Sequence, residues 1–196
     1  MSAPLPLITL ARHGETAWTL SGQHTGLTDL PLTERGEYHA RLLGTRLHTF
    51  HFDKVFTSPL QRAARSCTIA GFDAEIDRDL VEWDYGDYEG LKTLEIQSRF
   101  PGWTLFHDGV PNGESIEQVT ARVDRVIAKV RDLSCSVLIF SSGHLLRSLA
   151  ARWVGLPTSG GQRLMLGTAS LSILGYDHNL DEPVIKLWND QSHLTM

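Results

Sequence analysis

A three-layer α/β/α sandwich around a mostly parallel sheet is the fold class that the sequence predicts, and three observations carry it. Short apolar runs at residues 5–11 and 136–140, and the segment 53–57 around Val55 and Phe56, have the length of strands. Segments with helical periodicity separate them. Two of the runs lead directly into polar turns, Arg12-His13-Gly14-Glu15-Thr16 and Ser141-Ser142-Gly143-His144. The carboxyl ends of strands are where an open α/β sheet meets its ligands.

The first strand delivers an imidazole and a guanidinium, His13 and Arg12, to its carboxyl end. A histidine so placed can attack phosphorus through a ring nitrogen while the arginine neutralises phosphoryl oxygens. A turn-rich loop over 21–33 follows and ends on Thr33, a helix N-cap. The next helix is predicted over 34–50, with Leu42, Leu43 and Leu47 on its apolar face in spite of Gly36 and Gly44. After the strand at 53–57, Ser58 is predicted to cap the third helix and Pro59 to occupy its first turn. Arg62 is thereby set one turn inside, near the positive end of the helix dipole, and Arg65 is read as solvated.

Residues 81–90 crowd four acids and three aromatics into ten positions. A carboxyl among aromatic walls beside a bound anion suits a general acid. Asp84, Asp87 and Glu89 also permit a divalent-metal reading, because oxygen ligands suit magnesium or calcium. Residues 91–113, with a short helix at 93–99, are predicted to cover one end of the sheet and to govern substrate choice. His107 in that segment is read either as pocket-lining or as loop-bracing.

Ser115 and Gln118 form a capping box that opens a long amphipathic helix, whose core face carries Ile116, Val119, Val123, Val126, Ile127, Val130 and Leu133. The strand at 136–140 and its turn lead into a helix at 145–154, stopped by Gly155-Leu156-Pro157. Residues 169–176 and 183–189 are two further strands, a hairpin or an antiparallel edge.

The 196 residues fit a single domain with the 91–113 insertion over one end. A formal charge of -5 leaves no basic stripe for nucleic acid, and no apolar run approaches the ~20 residues that span a bilayer. Residues 1–4 carry no basic side chain and run straight into the first strand, so no cleaved leader is expected. Cys67 and Cys135 lack CxxC or metal-ligand spacing, and a reducing cytoplasm is the expected location. Periodicity alone leaves oligomeric state open, a homo-oligomer included.

Four boxes in order make the chain resemble the histidine phosphatase superfamily, also called phosphoglycerate mutase-like: Arg12-His13-Gly14, Ser58-Pro59-Leu60-Gln61-Arg62, the segment from Glu82 to Gly90, and Gly143-His144. The resemblance implies that His13 becomes a transient phosphohistidine, with Arg12 and Arg62 in the phosphate pocket and Glu82 as general acid. Gln23, Thr25, Gly26, Tyr85, Ser142, Gly143 and His144 are the implied substrate contacts. The route asks for no metal and no cofactor, and its partner is a small phosphorylated metabolite. The 82–90 run, with Gly167-Thr168-Ala169-Ser170 and Gly175-Tyr176, is similar to sedoheptulose-bisphosphatase-like and acid-phosphatase-like members. A metal-independent phosphomonoesterase acting on sugar phosphates is therefore expected.

One position departs from the family pattern. A second catalytic histidine usually precedes the glycine of the last turn, and here that residue is Ser142. Losing one preorganised donor costs roughly 3 to 4 kcal/mol of transition-state stabilisation. Three accounts stand side by side: the Ser142 hydroxyl donates, His144 turns into the pocket, or the chain is an impaired or engineered form. Mutase-type phosphotransfer and a catalytically impaired anion-binding module are the competing functions. Against the mutase, residues 91–113 offer only Lys92, Arg99 and His107, opposed by Glu95 and Asp108.

Overall fold

The computed structural model describes residues 5–195. Residues 1–4, where the absence of a leader was read, lie outside them. In chain order the elements are β1 (Ile8–Arg12), α1 (Ala17–Ser21), α2 (Glu34–Leu47), β2 (Lys54–Thr57), α3 (Gln61–Ile69), β3 (Glu75–Ile76), α4 (Thr93–Arg99) and α5 (Leu105–Asp108). The chain continues through α6 (Ile116–Leu133), β4 (Val137–Ser141), α7 (Gly143–Trp153), β5 (Leu171–Tyr176) and β6 (Pro183–Asp190).

The six strands form one sheet in the order β3-β2-β4-β1-β5-β6. The first four are mutually parallel, and β5 is antiparallel to both β1 and β6. The reversal expected at the edge therefore falls one strand inside it. In the β5–β6 hairpin it is the first strand that adds to β1, so β6 returns to the common direction as the edge.

Strand alternation divides the core between the two faces of the sheet. Val137 and Ile139 of β4 pack with Val119, Val123 and Val126 of α6 and with Leu145 and Leu149 of α7. Leu138 and Phe140, the intervening residues, pack with Leu43 and Leu47 of α2 and Cys67 of α3. Helices thus cover both faces. The two glycines that weaken α2 as an isolated helix are its contact points: a Cβ at Gly36 would meet the Glu15 carbonyl oxygen at 2.2 Å, and one at Gly44 the Ala70 carbonyl oxygen at 2.7 Å. Close backbone approach is what these positions require.

Thr33 caps α2 by accepting from the Gly36 N–H, and Ser115 with Gln118 closes a capping box on α6, both as the sequence predicts. The start of α3 differs. Its N-cap is Leu60, without a side-chain cap, and the Ser58 hydroxyl accepts from the Leu60 N–H instead. The Ser-Pro pair is spent on an extended corner, so Arg62 is the second residue of α3 rather than one turn inside. The five-residue α1 was not predicted, and a Thr16–Thr19 capping box opens it.

Candidate active site

Arg12 and Ser141 are paired in register at the ends of β1 and β4, and the His13 N–H donates to the Ser141 carbonyl at 3.0 Å. Parallel pairing thus carries the two chemical turns to one end of the sheet. There His13, Arg12, Gly143 and His144 line a cavity of about 260 Å³ together with Glu82, Tyr85, Gln23 and Thr25. Of the larger clefts elsewhere on the surface, one of about 340 Å³ shares Glu82 with this cavity, and three others hold none of these residues.

His13 is buried, and its Nδ1 donates to the Gly14 carbonyl at 2.7 Å. Burial, reinforced by the positive charges of Arg12 and Arg62, holds its pKa well below the ordinary 6.5. The imidazole is neutral, with Nε2 as its unprotonated nitrogen. Arg12 donates through Nη1 to the Leu166 carbonyl, while its buried Nε has no hydrogen-bond partner among the described residues. Gly143 lies against that guanidinium, and a Cβ there would stand 3.2 Å from Arg12 Cζ. The glycine of this turn makes room for the arginine.

The Glu82 carboxylate sits at the amino end of α7. It accepts from the His144 N–H at 2.9 Å and the Leu145 N–H at 2.8 Å, and from the Trp83 N–H at 2.9 Å. These backbone donors occupy orphan positions of the first helical turn and fix the carboxyl beside the cavity. Tyr85 Oη lies 2.5 Å from His144 Nδ1. Burial, with Glu82 next in effect, pushes the Tyr85 phenol well above its ordinary 10.0. Burial, with Arg147, His24 and Arg12, holds His144 well below 6.5.

Three expected contacts stand behind the cavity wall. Arg62 is fully buried and donates to the carbonyls of Thr28 at 3.0 Å, Thr25 at 3.1 Å and Gly26 at 2.7 Å. Its Nε donates to the Ser142 hydroxyl at 3.4 Å. Ser142 is likewise buried and does not line the cavity. The Gly26 N–H is already given to the Glu89 carboxylate, at 2.8 and 3.0 Å.

The acidic segment does not gather into one metal cluster. Glu89 accepts from the amides of Gly26 and Thr28, Asp84 from the Gly86 N–H, and Asp87 from Asn112. Of residues 91–113 only Thr93 lines the cavity, and His107 faces a separate cleft beside α6. The remaining wall comes from residues absent from the predicted set: Thr19, Gly22 and His24 after β1, Arg147 on α7, and Leu166. Arg147 donates to the Gly161 and Gln162 carbonyls, which hold it at the rim. With Arg12 and Arg147 set against Glu82 alone, the lining carries a net positive charge suited to an anion.

The family model of the histidine phosphatase superfamily, branch 1, matches residues 8–191, nearly the whole chain. The chain belongs to the histidine phosphatase superfamily. It is 40% identical over 178 residues to an acid phosphatase of Mycobacterium tuberculosis, covering 88% of each chain. It is 35% identical over 192 residues to the sedoheptulose 1,7-bisphosphatase of Saccharomyces cerevisiae, covering 80% of this chain and 70% of that one. A solved structure of an open reading frame from Mycobacterium tuberculosis superposes with a TM-score of 0.91 at 38% identity, covering 94% of this chain and 97% of the other. This histidine phosphatase is accordingly a phosphatase with the α/β fold of its relatives. No helix among its described residues is long and apolar enough to cross a membrane.

Proposed function

We propose that the enzyme hydrolyses small phosphomonoesters, sugar phosphates foremost, through a phosphohistidine at His13 and without a metal. The observation that carries this reading is the hydrogen bond from His13 Nδ1 to the Gly14 carbonyl, which leaves the Nε2 lone pair free in a cavity walled by guanidinium groups. Nε2 attacks phosphorus, the bond from phosphorus to the ester oxygen breaks, and Glu82 gives its proton to the departing alkoxide. Water then attacks the phosphohistidine, Glu82 takes a proton from it, and the phosphorus–nitrogen bond breaks to release inorganic phosphate. Arg12, whose Nε has no partner among the described residues, receives phosphoryl oxygens. Arg62 supports them from behind by holding the loop at 25–28.

In this reading His144 supplies the donor that Ser142 does not. The protonated Tyr85 hydroxyl donates to His144 Nδ1, which leaves the proton of a neutral imidazole on Nε2. The polar wall of Gln23, Thr25, His24 and Thr93 suits a polyhydroxylated leaving group. The two relatives named for phosphatase activity support the substrate class.

Rapid quenching in mild alkali during turnover of a labelled sugar phosphate tests the scheme. One acid-labile phosphate on His13 is the expected result. Label on another residue, or full turnover by His13→Ala, overturns it. Following free phosphate against isomerised product, with sugar bisphosphates and 3-phosphoglycerate as substrates, separates hydrolysis from phosphotransfer.

A further inference from the structure

Arg122 of α6 is a buried guanidinium that lines none of the catalytic cavity, yet all five of its N–H groups are engaged. Nε and Nη2 grip the Glu114 carboxylate at 2.8 and 2.6 Å. Nη1 donates to the carbonyls of Asp79 at 2.8 Å and Val81 at 2.7 Å, and Nη2 also reaches the Glu82 carbonyl at 3.4 Å. Glu114 completes the hold through its own backbone: its carbonyl accepts from Trp83 Nε1 at 2.7 Å, and its N–H donates to the Asp84 carbonyl at 2.9 Å. Every residue from 81 to 84 is therefore tied to one ion pair.

We propose that the Arg122–Glu114 pair is the positioning device of the general acid, holding the backbone of Glu82 from the α6 side while the α7 amides hold its carboxylate. The inference rests on the assignment of Glu82 as acid. Its physical basis is that a bidentate, planar guanidinium fixes several acceptors at once, which a lysine ammonium cannot do. A proton must reach the ester oxygen over hydrogen-bond distance, so a small displacement of the 81–84 strap weakens protonation before it weakens phosphate binding. Arg122 makes no hydrogen bond to a side chain that lines the cavity, so its hold on Glu82 runs through the backbone alone.

The test compares Arg122→Lys, Glu82→Gln and their double variant on a sugar phosphate and on 4-nitrophenyl phosphate, with folding followed by circular dichroism. Folded Arg122→Lys is expected to lose about tenfold or more in kcat on the sugar phosphate, with KM little changed, and less than about threefold on the aryl ester, whose leaving group departs without a proton. In the double variant the Arg122 loss should vanish, because the acid it positions is already gone. Equal losses on both substrates, or additive losses in the double variant, overturn the proposal while a selective Glu82→Gln leaves the acid assignment standing. A Glu82→Gln variant without selectivity overturns the acid assignment and this inference with it. If Arg122→Lys does not fold, Glu114→Gln, which keeps the shape of the pair, is held to the same two outcomes.

Discussion

The Ser142 hydroxyl accepts a 3.4 Å hydrogen bond from Arg62 Nε behind the cavity wall, whereas His144, two residues later, lines the cavity. The departure from the family pattern thus places a short side chain against the loop-holding arginine. His144→Ala is expected to lower kcat by about a hundredfold, the range for one lost preorganised donor. Ser142→His is expected to raise it by less than about tenfold, since the donor role is already filled. Steady-state rates on one sugar phosphate decide it: a large gain from Ser142→His with no loss from His144→Ala returns the role to position 142.

Glu82→Gln should lose about a hundredfold or more on sugar phosphates and much less on 4-nitrophenyl phosphate. Glutamine keeps one acceptor oxygen, so one of the two α7 amides loses its partner, and it has no acidic proton to give; the comparison of leaving groups separates the two effects. A flat response across leaving groups of differing basicity would assign Glu82 a binding role.

Arg12 and Arg62 should separate in their effects. Arg62→Met strands three loop carbonyls that now receive charge-assisted hydrogen bonds, so a stability loss of at least about 3 kcal/mol is expected alongside lost activity. Arg12→Met, with one carbonyl partner and a free Nε, should lower kcat/KM by more than about tenfold at a smaller cost in stability. Gly143→Ala should mimic part of the Arg12 effect by pressing on its guanidinium. Denaturant unfolding paired with kinetics reads both; matching stability losses for the two arginines would contradict the division.

His13 and His144 predict the pH dependence of stability. Both have pKa values below their ordinary 6.5 in the folded chain, so below that pH the unfolded chain binds protons that the folded chain does not. Their contribution is fully present above about pH 6.5 and falls as pH drops, by up to about 1.4 kcal/mol per pH unit for each group. Tm should decline from pH 7.5 to 5. The acid limb of kcat/KM should lie below 6.5, because His13 stays unprotonated there. A Tm that climbs towards pH 5 would show that these imidazoles charge inside the fold.

A metal-free route also predicts that activity survives prolonged dialysis against a chelator. Loss that is restored only by a divalent ion would remove the phosphohistidine scheme as written.

Much of this architecture was legible in the sequence because burial writes a period into it. The α6 stripe and the continuous buried run of β4 both read correctly. Short elements did not: α1 has five residues, too few for a helical period, and its only signal is the Thr16–Thr19 box. In the site, the sequence located the chemical turns but not the depth of each side chain. Ser142, Arg62 and Gly26 belong to the right segments but do not line the cavity. Arg147 was missed although it lies four residues after Gly143, one helical turn along the same face of α7. Arg122 carried a signal too, as an arginine set among Val119, Val123 and Val126 on a buried stripe.

The loop from Thr25 to Thr28 is gripped on its carbonyls by Arg62 and on its amides by Glu89. Two opposite charges thereby hold a polar segment that has little apolar surface of its own to bury. Its conformational entropy is surrendered during folding, not during substrate capture. That stretch of wall behaves as a preformed mould, so a ligand should enter without waiting for it to order. Association should then track the ionic strength of the medium, as expected for an anion drawn to a rigid cationic cleft, rather than the slower rhythm of a closing loop.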